Sequence, residues 1–133
     1  MTIIAYLIWV LYAVLEGAKE ATLYNIRDYN KKNPFNEHIV FTIQRAVVLL
    51  LVCYIDWRML FIAPFAFPFF HDGAYYTTRN LLNNKIYPKR WFAQSTTSSA
   101  RSTDFFTPEI RTIFAIVSAI FIGIIQYAIW KGI

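Results

Sequence analysis

The chain has 133 residues, of which 57% are hydrophobic, 19% aromatic and only 16% charged, with a formal net charge of +5. A soluble domain carries about 25% charged residues, and one of this length has too little interior to hide so much apolar surface. The composition therefore excludes an ordinary soluble fold and points to lipid as the surroundings. The positive charge does not redirect this towards nucleic acid, because no basic run reaches four residues and no DNA- or RNA-binding motif appears. Basic loops held against anionic lipid on the cytoplasmic side account for it.

The first apolar segment runs from Thr2 to Leu15, and its helix is expected to continue through Tyr24. It has no basic region at its start. Gly17-Ala18 offers a cleavage site of the kind that follows a signal peptide, but Tyr6, Trp9 and Tyr12 interrupt the run. We read it as a retained first span. Glu16 and Glu20 stand at i and i+4 and share one helical face, where two like charges repel unless a cation lies between them.

The second segment runs from Ile39 to Ile55 and contains Cys53, the single cysteine, so no intramolecular disulfide is available. Arg45 sits about one turn inside this span. An ionisable side chain there is costly and faces the bundle, and Glu16 or Asp72 is its expected partner.

The third segment is apolar from Met59 to Phe70 and then turns polar in "HDGAYYTTRN". Pro64 and Pro68 are expected to kink it, as membrane helices tolerate. The polar loop 81–107 follows. Its biased stretch "QSTTSSARST", 94–103, reads as a solvated linker, with its hydroxyls and backbone N–H groups as an alternative anion cradle.

The fourth segment has a clear start. Thr107 suits the N-cap, Pro108 the first helical position, and Glu109 the positive end of the helix. From Ile113 to Trp130 there is no charge, and Ser118, Gln126 and Tyr127 are the only polar side chains. At about 1.5 Å per residue this helix matches a hydrocarbon core of ~30 Å.

The sequence thus predicts one all-α integral membrane domain over 1–133, a compact bundle of four transmembrane helices. The spans are placed at about 2–24, 39–55, 59–80 and 108–131. Lys19, Arg27, Lys31 and Lys32 fall in one loop region, and Arg79, Lys85, Lys89, Arg90 and Arg101 in the other. The positive-inside rule puts both loops in the cytoplasm and both termini outside. An aromatic, Ile- and Asn-containing composition is compatible with a bacterial or phage gene and an inner membrane.

That topology gathers polar residues from all four segments at one membrane face. Carboxylates and imidazoles are the usual ligands of zinc, manganese or iron, which makes Glu16, Glu20, His38, His71 and Asp72 a candidate metal set. Arg45, Arg79 and Arg111 are the candidate anion binders. Together they describe a small membrane metalloenzyme acting on a phosphorylated or lipid substrate. No His-x-x-x-His, His-Glu-x-x-His or Cys-x-x-Cys spacing supports it. The simpler expectation is a structural or interaction role in a membrane assembly, with the lipid bilayer, protein partners or a homo-oligomer as its contacts and no nucleic acid. On that view the charges form ion pairs that set helix register. Ion or proton transport as an oligomer ranks next, then haem held by His38 and His71. A Ser-His-Asp site lacks its nucleophile-elbow motif.

Overall fold

The computed structural model of the chain describes residues 1–26, 37–85, 92 and 107–133. It is a bundle of four helices: α1 (Thr2–Ile26), α2 (Glu37–Ile55), α3 (Met59–Leu82) and α4 (Pro108–Lys131). The stretch 94–103, the residue Asp104 and the loop cations Arg27, Lys31, Lys32, Lys89, Arg90 and Arg101 lie outside the described residues.

Helices α1, α2 and α4 are long and apolar enough to cross a membrane. Helix α3 is 24 residues long but is not among them. Its apolar first half gives way to His71, Asp72 and Arg79, so it has no apolar stretch of spanning length. What α3 buries is protein. Met59, Ile62, Ala63, Ala66, His71, Gly73, Ala74, Tyr76 and Asn80 are all interior, which makes it the central helix, packed chiefly against α1 and then α4. Pro64 and Pro68 lie inside it, each removing one ladder hydrogen bond.

The α1–α3 interface follows from residue size. Ala5, Trp9, Ala13, Gly17 and Ala21 are buried at intervals of four, and such a stripe forms one ridge on a helix. Four of the five are Ala or Gly, and the facing stretch of α3 supplies Ala63, Ala66 and Ala74. Small residues let two helix backbones approach closely, and lipid-embedded helices associate largely through such packing. The approach is tightest at Gly17, where an added Cβ would lie 2.1 Å from the His71 carbonyl oxygen. Trp9, the one large residue of the stripe, donates its indole N–H to the Ala63 carbonyl at 2.8 Å. A buried indole needs such an acceptor.

The deepest apolar cluster joins Ala5, Trp9, Val52, Met59, Ile62, Ala63, Ala66 and Ile122, and so draws on all four helices. At this end of the bundle the Thr2 hydroxyl donates to Asp56 in the α2–α3 turn. The same carboxylate accepts from the Arg58 backbone N–H at 3.1 Å and from Arg58 Nε at 2.9 Å. Burial on its own raises the pKa of Asp56, but these hydrogen bonds outweigh it and hold the carboxyl below its ordinary value.

Helix α4 begins as its sequence predicts. Thr107 is the N-cap, its side chain accepts from the Ile110 N–H, and Pro108 opens the first turn. It ends at Gly132, whose φ of 70° is left-handed, the backbone region that glycine enters without steric cost. Ser118 donates to the Ala115 carbonyl at 2.8 Å, so the 3.0 Å contact between Tyr6 and Ser118 is donated by the tyrosine. It ties α1 to α4 at mid-depth.

The periphery is apolar. Helix α2 buries only Phe41 and Val52, and α4 only Arg111, Ser118 and Ile122. Leu50, Leu51, Ile116, Ile120 and Ile124 are exposed, as lipid-facing residues are.

Candidate functional site

Six ionisable side chains from the four helices meet in one line. Arg45 of α2 places Nε 3.0 and 3.1 Å from the two carboxylate oxygens of Glu16 on α1. Its Nη2 lies 3.6 Å from Oε2 of Glu20, one turn further along α1. That Glu20 oxygen is 2.9 Å from Nε2 of His71 on α3. The other ring nitrogen, Nδ1, is 2.8 Å from Oδ1 of Asp72. Oδ2 of Asp72 is 3.0 Å from Nε of Arg111 on α4. The order Glu16, Arg45, Glu20, His71, Asp72, Arg111 alternates acid and base.

Both ring nitrogens of His71 face a carboxylate oxygen, Nε2 that of Glu20 and Nδ1 that of Asp72. Glu20 also faces Arg45 and Asp72 also faces Arg111. A ring nitrogen that donates to a carboxylate must carry its proton, and an imidazolium can donate from both. Arg45 Nη2 approaches the same His71 Nε2 at 3.5 Å, so the two groups converge on Glu20. The line alternates three carboxyl groups with two guanidinium groups and one imidazole.

Each member is positioned by local structure. Glu16 and Glu20 share a face because they are four residues apart, and Arg45 lies between them. Glu16 and Arg111 are deeply buried, with side-chain exposures of 1% and 2%. Arg45 also covers the Phe67 ring, 4.9 Å from its centroid, and Phe67 stacks on the His71 imidazole at 4.9 Å. Gly17 lets α1 pass the His71 backbone closely enough for Glu16 and Glu20 to flank the pair. Arg111 is the least satisfied member. Its Nε is close to Asp72 but not aligned as a hydrogen bond, and among the described residues its Nε and Nη1 find no hydrogen-bond acceptor.

The eight predicted site residues divide clearly. Glu16, Glu20, Arg45, His71, Asp72 and Arg111 come together. His38 stands apart, exposed at the start of α2 and 3.4 Å from the Tyr24 hydroxyl. Arg79 bonds Asn80 Oδ1 at 3.3 and 3.1 Å and covers the Tyr76 ring at 4.7 Å. Among the described residues, no group of three or more His, Cys, Asp and Glu side chains has the grouping of a metal site.

Some residues that shape the site carried no polar signal in the sequence. Gly17 was legible only as a cleavage motif, although its spacing from Ala13 and Ala21 marks a close helix crossing. Tyr76, in the polar stretch that follows Phe70, is buried beneath Arg79 and within 5.9 Å of the Arg111 guanidinium.

A separate cleft opens between α1 and α2. It has a volume of about 310 Å³ and is lined by Tyr12, Leu15, Glu16, Lys19, Ile43, Gln44, Val47 and Val48. Lys19 donates to Gln44 Oε1 at 2.8 Å across its mouth and lies 4.9 Å from the Phe41 ring centroid.

Comparison with protein-family models, curated proteins and solved structures finds no match to this chain.

Proposed function

We propose that the chain is a membrane-embedded helical scaffold that acts by lateral contact with other membrane components, and that its charged line is an internal lock. The observation that carries this reading is the pairing inside the line, where Glu16 and Glu20 face Arg45 and Asp72 faces Arg111. Each carboxylate of the line faces a cation within the bundle, so the line consumes its own ligating capacity. What remains directed outwards is apolar, above all the outer faces of α2 and α4. Opposite charges paired between helices fix register and orientation, because any slip strands a charge in a low-dielectric interior. The distribution of Lys and Arg along the chain supports an orientation with the line near the cytoplasmic face and both long loops inside.

Cross-linking in the membrane tests this reading. In a Cys53→Ser background, a cysteine at Leu50 on the outer face of α2 is expected to cross-link the chain into a larger species. A cysteine at buried Val52 is the control. A protein that stays monomeric in every membrane preparation, with cross-links from neither position, argues against a lateral role. Labelling of Ser98→Cys only from outside the cytoplasm would overturn the orientation.

A second reading rests on one observation: four of the five predicted metal ligands, Glu16, Glu20, His71 and Asp72, lie in the same line. A divalent ion would take the place of the Arg45 guanidinium between Glu16, Glu20 and His71, and would then serve a metalloenzyme. Metal analysis of protein purified under replete conditions separates the two. A stoichiometric metal lost in His71→Ala favours the enzyme.

A further inference from the structure

The α1–α2 cleft is not part of the charged line, although Glu16 forms part of its wall, and the lock does not need it. Its lining changes character along its length. At one end Lys19 and Gln44 meet across the mouth. Seven residues back along α1, about 10 Å by helical rise, the far end is framed by Tyr12 and Val48. Between them Leu15, Ile43 and Val47 form apolar walls. The sequence of surfaces is cationic, then apolar, running from the polar end of the bundle towards its apolar middle.

Two side chains in the cleft are incompletely used. Among the described residues Lys19 is paired with no carboxylate: its ammonium has one neutral acceptor, Gln44, and one aromatic face, Phe41. An ammonium has three N–H donors, so donors remain for a ligand. Glu16 is the nearby acid, but Arg45 already occupies both of its oxygens. The Tyr12 hydroxyl is buried beside Glu16, without a well-aligned hydrogen bond among the described residues.

We propose that this cleft is a binding site for one anionic phospholipid. Its phosphate sits on the Lys19 ammonium beside the Gln44 amide, and one acyl chain lies along Leu15, Ile43, Val47 and Val48. Charge complementarity selects the headgroup. A lysine that meets no carboxylate among the described residues, at the polar end of an apolar cleft, attracts a phosphate with net negative charge and discriminates against a zwitterionic headgroup, whose own cation competes for the phosphate. The volume lies at the lower end of the range for ligand pockets, ~300–1,000 Å³. That suits part of one chain with the remainder in the bilayer. This inference rests on the membrane reading of the chain, and the experiment distinguishes the two.

The test uses full-length protein in vesicles of phosphatidylcholine with a minor fraction of phosphatidylglycerol, with either lipid spin-labelled on its acyl chain. The fraction of label held motionally restricted is read by electron paramagnetic resonance. Wild type is expected to restrict phosphatidylglycerol about fivefold more strongly than phosphatidylcholine, the ratio one lysine contributes beside anionic lipid. Lys19→Gln should bring the ratio close to one. Val47→Trp, an exposed apolar position whose substitution leaves the core intact, should lower the restricted phosphatidylglycerol while leaving phosphatidylcholine unchanged. Equal restriction of both lipids by wild type overturns the site and leaves the membrane reading standing. Selectivity retained in Lys19→Gln also overturns it. Restriction of neither lipid overturns the membrane reading itself.

Discussion

Arg45 and Glu16 face each other across the α1–α2 contact, with one guanidinium nitrogen 3.0 and 3.1 Å from the two carboxylate oxygens. Glu16 is buried and Arg45 partly exposed, so the acid depends on the base more than the reverse. Removing Arg45 strands Glu16 without its strongest partner. Arg45→Met is expected to destabilise the bundle by roughly 2–4 kcal/mol, measured by denaturant unfolding in detergent. Glu16→Gln in the same chain should recover most of that loss. If the double variant is as unstable as the sum of the single ones, the pair is not coupled.

Gly17 gives a steric prediction. A Cβ at this position would meet the His71 carbonyl at 2.1 Å and the Tyr75 nitrogen at 3.0 Å, both backbone atoms that cannot rotate away. Gly17→Ala must push α1 from α3, at an expected cost of roughly 1–3 kcal/mol. Gly123 is the control, because nothing lies within 4 Å of its added Cβ. Gly123→Ala should be neutral or slightly stabilising, since alanine is the better helix former. Thermal unfolding of the two variants side by side checks both.

Asp56 supplies a pH dependence. Its folded pKa is depressed below the unfolded value by the Arg58 and Thr2 hydrogen bonds. For such a group the stabilisation is fully present above the unfolded pKa and is lost as pH falls through the folded one. Stability should therefore decline on acidification below the ordinary carboxylate range. Thr2→Ala should shrink that acid-sensitive part, and Asp56→Asn should remove it. The check is unfolding free energy against pH for the three proteins. A wild-type profile identical to that of Asp56→Asn refutes a stabilising role for the Asp56 carboxylate in this turn.

Trp9 reports on the α1–α3 contact. Its indole N–H has one acceptor, the Ala63 carbonyl at 2.8 Å. Trp9→Phe keeps most of the ring packing but loses that bond, for an expected cost of about 1 kcal/mol. Unfolding by circular dichroism measures it. A larger loss would mean that the ring contacts with Tyr12 and Phe67, at 5.7 and 5.5 Å, depend on the bond.

Much of this was written in one dimension. Apolar length placed the four helices, and Thr107, Pro108 and Glu109 marked the start of α4. The spacing of Glu16 and Glu20 required a cation between them, and the depth of Arg45 required an acid. These are local properties, set by helical periodicity and by the cost of a charge in an apolar setting. The partner choices needed the fold. Glu16 and Asp72 were equal candidates for Arg45, yet Arg45 takes Glu16 and Asp72 faces Arg111, because α4 packs on that side of α3. His38 has the same chemistry as His71 but lies at an exposed helix start against Tyr24. The cleft beside Lys19 arises because small residues draw α1 towards α3 while α2, which buries only two side chains, stays at the edge. Periodicity can say which residues share a face. Which face meets which neighbour is decided by packing, because backbone approach at Gly17 and crowding around Trp9 set the distances at which charges from different helices can meet.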